Sequence, residues 1–69
     1  MDKATEMALK AIVRGLVHAA PDIAIPDAIA QSLFQMEDEL GKSHMPAEAH
    51  DVGKIAQFAM HERNARLSN

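Results

Sequence analysis

Between Asp2 and Ala20, the apolar residues Leu9, Ile12, Val13, Leu16, Val17 and Ala20 recur three and four positions apart. On the opposite side, Ala4, Ala8, Ala11 and Gly15 form a seam of small side chains at the same spacing. Each residue of an α-helix advances about 100° around the axis, so both sets are stripes on one helix. Small side chains let a second backbone come close, so a helix with one large and one small stripe is expected to have neighbours on both sides. A chain that opens this way is constrained to a helical bundle. Leu16, at the centre of the larger stripe, is expected in its core.

Prolines mark the limits of the helical segments. The first runs over about residues 3–20, because Pro21 disfavours helical backbone at Ala20 and cannot continue the hydrogen-bond ladder. Ile23 and Ile25 fall in the connection that follows, where they are expected to fold back on the core as an apolar plug. The second helix is predicted over 26–41. Pro26 suits a first helical position, and Asp27 complements the amino-terminal dipole. Its stripe is Ile29, Leu33, Met36 and Leu40, with Gly41 as a left-handed cap and Lys42 beside the carboxyl end. The third helix is predicted over 46–66 from Pro46, with Glu48 in its first turn. Its stripe is Val52, Ile55, Ala56, Ala59, Arg63 and Leu67, broadened by Met60. Gly53 interrupts that pattern at about 1 kcal/mol against alanine. It marks a close contact, or a break after which Asp51 caps a restart. Short connections make consecutive helices antiparallel neighbours. That arrangement brings Glu37, Asp38 and Glu39 near Lys3 and Lys10.

A chain of 69 residues is read as one domain, residues 1–69. At that length folding buries only about 60% of the surface the unfolded chain exposes. Small domains compensate with disulfides, a metal or self-association. This chain has no cysteine, which removes disulfides and thiolate metal sites. The expected fold is therefore an all-α three-helix bundle completed as a homodimeric helical bundle. Alanine is abundant and β-formers are scarce, which agrees with that class. The longest apolar stretch, residues 7–20, is broken by Lys10, Arg14 and His18. It reads as neither a membrane span nor a signal segment. No membrane partner is expected, and a cytoplasmic location is.

Phe34 and Phe58 are the only aromatic residues, and each lies off its helix's main stripe. Phe34 is displaced by roughly 100–140°. Both rings belong either to a core that touches two neighbours or to an interface, where aromatics are enriched. Four histidines raise the question of a metal. His44, Glu48, His50 and Asp51 are close in sequence, but Pro46 interrupts them and no zinc-binding spacing results. No metal or cofactor is expected. The three glycines are isolated and the serines lack a nucleophile context, so no catalytic residue is expected. A net charge of −3 provides no broad field for nucleic acid.

The expected function is a non-enzymatic protein-interaction module: a regulator, adaptor or inhibitor acting through a helical surface on another protein. The candidate interface residues are Ala8, Ala11, Gly15, Phe34, Phe58 and Met60. The alternative is a DNA-binding regulator of helix-turn-helix type that uses the third helix, although Glu48 and Asp51 at its start oppose phosphate contact.

Overall fold

A computed structural model describes residues 1–68. The described residues form helices α1 (Lys3–Ala19), α2 (Ala24–Lys42) and α3 (Pro46–Ser68). Asp2 caps α1 by accepting the Thr5 amide at 2.9 Å, which satisfies one of the donors a helix start leaves unpaired. Ala20 is extended, as a residue before proline must be, and α1 ends there. Asp22 accepts the Ala24 amide at 2.9 Å, so α2 begins two residues ahead of the predicted start. Pro26 then lies inside the first turn of α2, where its missing N–H costs no ladder bond.

The end of α2 differs from expectation in a specific way. Gly41 stays helical, and the left-handed residue is His44, with φ 60°. The Met45 amide reaches the Leu40 carbonyl at 3.0 Å, and the His44 amide reaches the Gly41 carbonyl at 3.2 Å. This pair of bonds is the Schellman closure, shifted past the glycine. Helix α3 runs unbroken through Gly53, so no restart occurs at Asp51.

Helix α3 is the centre of the bundle. Its interface with α2 is the most extensive, that with α1 is smaller, and α1 and α2 barely touch. The expectation of consecutive helices as close neighbours therefore holds for α2 and α3 and is corrected for α1 and α2. The molecule is a slab of 38 × 24 × 15 Å. Its buried core is Val13 and Val17 of α1, Ala30 of α2, and Ile55, Ala56 and Ala59 of α3. Half of those six residues are alanine, which is why α2 and α3 come close. At Gly53 an added Cβ would lie 2.9 Å from Glu37 Cδ, so this glycine does mark a close contact. The tight small-residue seam of the monomer is thus on α3. The predicted one, Ala4, Ala8, Ala11 and Gly15, faces solvent, with open space where a Gly15 side chain would be.

The larger stripe of α1 is also corrected. Leu9, Ile12 and Leu16 are exposed, Leu16 by 52%. The buried line on α1 is Glu6, Val13 and Val17, rotated toward α3. Two carboxylates lie along the rotated interface. Glu6 accepts from Lys10 at 2.9 Å and Lys54 at 3.1 Å, and Glu62 of α3 pairs with Arg14. Arg66 closes the same interface by donating to the Val17 carbonyl at 2.6 Å. The acidic end of α2 does not meet the lysines of α1: Asp38 pairs with Lys42 at 2.9 Å, and Glu37 lies against Gly53. Ile23 is half-buried and Ile25 is exposed, and the partly buried side chains that pack against the core are Ile29, Leu33 and Phe58 instead of the expected plug.

Candidate functional site

Because α1 and α2 both lean on α3 without closing on each other, a groove of about 480 Å3 runs between them. It is lined by Val13 of α1 and by Ala24, Ile25, Ala28, Ile29, Ser32 and Leu33 of α2. None of these is ionisable, and Ser32 is the single polar side chain. At 100° per residue, Leu9, Ile12 and Leu16 occupy the edge of α1 turned toward this groove. Ile25, Ile29 and Met36 share the corresponding edge of α2. Ile12 is 59% exposed, and Leu9, Leu16, Ile25 and Met36 are exposed beside it. Placing large aliphatics in water forgoes about 1.5–3 kcal/mol for each side chain that could be fully buried. This face is the largest unmet hydrophobic demand of the fold.

A second cleft, of about 380 Å3, lies on the other edge of α1 against α3. Lys3, Glu6, Met7, Lys10, Ala11 and Arg14 supply one wall, and Phe58 is the floor. Lys10 Nζ lies 5.4 Å and Arg14 Cζ 5.2 Å from the Phe58 ring centre, within cation–π range. Beneath these cations lie the carboxylates of Glu6 and Glu62. Hydrogen bonds from Lys10 and then Lys54 lower the pKa of Glu6 from the ordinary 4.5 to about 2. Arg14, assisted by His18 at 3.5 Å, lowers that of Glu62.

The six predicted interface residues do not share one surface. Ala11 and Phe58 meet in the α1/α3 cleft. Phe34 and Met60 line a groove of about 200 Å3 between α2 and α3, beside the Asp27–Arg63 ion pair. Ala8 and Gly15 lie on the outer side of α1. Phe58 is half-buried and packs against the core, and Phe34 is half-buried at the rim of its groove. Residues not singled out from sequence, Leu9, Ile12, Leu16, Ile25 and Met36, make the dominant exposed face. The signal was present as the large stripe of α1, which was assigned to the interior.

Among the described residues, no three His, Asp or Glu side chains come together closely enough to hold a metal ion. No helix among them is long and apolar enough to cross a membrane. The outward face of α3 carries His50, Lys54, Gln57, His61 and Asn64, all exposed, and its single lysine is paired with Glu6 of α1 at 3.1 Å. Comparison of the chain with family models, with curated proteins and with solved structures found no match.

Proposed function

We propose that this chain is a non-enzymatic protein-interaction module, a small regulator, adaptor or inhibitor, and that a second copy of the chain is the partner that covers the α1/α2 face. The observation that carries this reading is the position of Leu9, Ile12, Leu16, Ile25 and Met36 in solvent around a groove without charge. Their exposed parts amount to roughly 500 Å2, at the upper end of what a monomer leaves open. That is more than half of the ~800 Å2 each partner buries in a standard interface.

Three physical arguments favour a second copy as the occupant. A face without ionisable groups meets itself across a two-fold axis with no like-charge repulsion, as an isologous interface requires. Two α1/α2 layers stacked on each other form a four-helix arrangement with α3 on either outside, a packing that suits amphipathic helices. The single-chain core has one isoleucine and two valines as its large residues. Small domains with so little core commonly gain stability by oligomerising.

The test is sedimentation equilibrium of the wild type and of Ile12→Asp. The wild type is expected near twice the 7.5 kDa chain mass. The variant is expected at the chain mass with its helical signal retained, because Ile12 lies outside the core. A wild-type mass of one chain across micromolar to millimolar concentration overturns the assignment of a second copy.

A further inference from the structure

We propose that the cleft between α1 and α3 is a binding site for a small amphiphilic anion. The apolar part lies over Phe58 and Met7, and the carboxylate or phosphate head is held by Lys3, Lys10 and Arg14. The cleft is on the opposite edge of α1 from the uncharged groove, so the inference is independent of self-association.

Charge is the first observation. Four of the seven basic side chains of a net acidic chain, Lys3, Lys10, Arg14 and Lys54, gather around this cleft. They face two carboxylates, Glu6 and Glu62, so four minus two leaves two positive charges unmatched. Asp51, at the end of the same seam, is already joined to the Met1 amino group at 2.6 Å.

Donor geometry is the second. Glu6 and Glu62 sit beneath the cations with only about a tenth of their side-chain surface exposed, whereas the Arg14 side chain is 64% exposed. Arg14 reaches Glu62 through Nε, and its terminal nitrogens make no hydrogen bond among the described residues. Those nitrogens form the planar fork that carboxylates and phosphates fit. Lys3 makes no ion pair among the described residues and stands at the cleft wall with all its donors available.

Shape is the third. A volume of about 380 Å3 falls in the range of small-ligand sites, roughly 300–1,000 Å3. The floor is the ring of Phe58, with Met7 and Ala11 beside it. A free inorganic anion would leave that floor wet, and a neutral alkane would leave the cations unmatched. A molecule with both parts satisfies both walls.

The experiment is a heteronuclear NMR titration of the full chain with decanoate and with decyl phosphate, below their micelle-forming concentrations. Decanol, acetate and inorganic phosphate serve as single-feature probes. The expected result is saturable one-site shifts centred on Lys10, Arg14 and Phe58, with one or both amphiphiles bound about tenfold or more tighter than any single-feature probe. The relative affinity of decanoate and decyl phosphate identifies the head group. Lys3→Glu, at an exposed position without an ion pair, is expected to weaken the amphiphiles about tenfold. Phe58→Leu, which keeps an apolar side chain against the core, weakens the amphiphiles and leaves acetate unchanged. Decanol binding as tightly as decanoate overturns the proposal. So do shifts centred on Ile25, Ile29 and Leu33, or an affinity that Lys3→Glu leaves intact.

Discussion

Replacing Ile55 and Leu16 separately by alanine distinguishes the core of this fold from its open face. Ile55 is 4% exposed and belongs to the central cluster. Truncation to alanine removes three buried carbons, about 2.4 kcal/mol of transfer free energy at ~0.8 kcal/mol each. The residual cavity adds about 1–2 kcal/mol when the site relaxes only in part. The expected loss is therefore about 3.5–4.5 kcal/mol, a large share of the roughly 3–10 kcal/mol that a domain of this length possesses. Leu16 is 52% exposed, so the same truncation in a lone chain costs about half the transfer term, near 1 kcal/mol, with no cavity. Urea denaturation followed by far-ultraviolet circular dichroism, repeated over a range of protein concentration, measures both. The Ile55 penalty should be independent of concentration, while the Leu16 penalty should grow as self-association covers the face. Equal losses for the two variants at the lowest concentration would refute the assignment of Leu16 to the surface.

The open space at Gly15 predicts that Gly15→Ala stabilises the chain by about 0.5–1 kcal/mol through helix propensity. A destabilised variant in the same urea assay would mean that something packs against that side of α1. His44 holds a left-handed φ of 60°, so His44→Gly should raise stability by a fraction of the ~1–2 kcal/mol that this conformation costs an L-residue. An unchanged or lower melting temperature would oppose that account of the turn. The lowered pKa values of Glu6 and Glu62 mean that folding favours their ionised forms. The stability they contribute is complete above the unfolded value of 4.5 and is lost as pH falls from there toward about 2. Melting temperature against pH should decline across that window, and Glu6→Gln should flatten the decline; an equally steep profile in the variant would remove Glu6 from the linkage.

Helix boundaries were legible because they depend on local chemistry that acts within a few residues. Pro21 ended α1 and Asp2 capped it, whatever lay elsewhere in the molecule. The cap of α2 passed Gly41 for His44, and the Met45 and His44 amides close the helix end on the Leu40 and Gly41 carbonyls. Faces were less legible. Helix α1 offers two adjacent lines, Leu9, Ile12 and Leu16 or Glu6, Val13 and Val17, and hydropathy ranks the first as interior. The structure buries the second, with Glu6 paired to Lys10 and Lys54 and Glu62 paired to Arg14. These pairings let carboxylates occupy an interface that hydropathy assigns to aliphatics. The close seam between α2 and α3 obeys the small-residue rule applied to α1, but its members, Ala30, Gly53, Ala56 and Ala59, lie on two helices and become a seam only when those helices meet. The cationic cleft has a similar history. Lys3, Met7, Lys10 and Arg14 are spaced four, three and four apart, a visible stripe whose significance depends on Phe58 arriving from α3.

The central claim, that the α1/α2 face is where two copies meet, is tested most directly by isotope-filtered nuclear Overhauser spectroscopy. An equimolar mixture of labelled and unlabelled chains reports only contacts between different copies. Cross-peaks from the methyl groups of Ile12 and Leu16 to those of Ile25, Ile29, Leu33 or Met36 of the other copy are the predicted result. Intermolecular cross-peaks confined to Phe34 and Met60, or none at millimolar concentration, would contradict it.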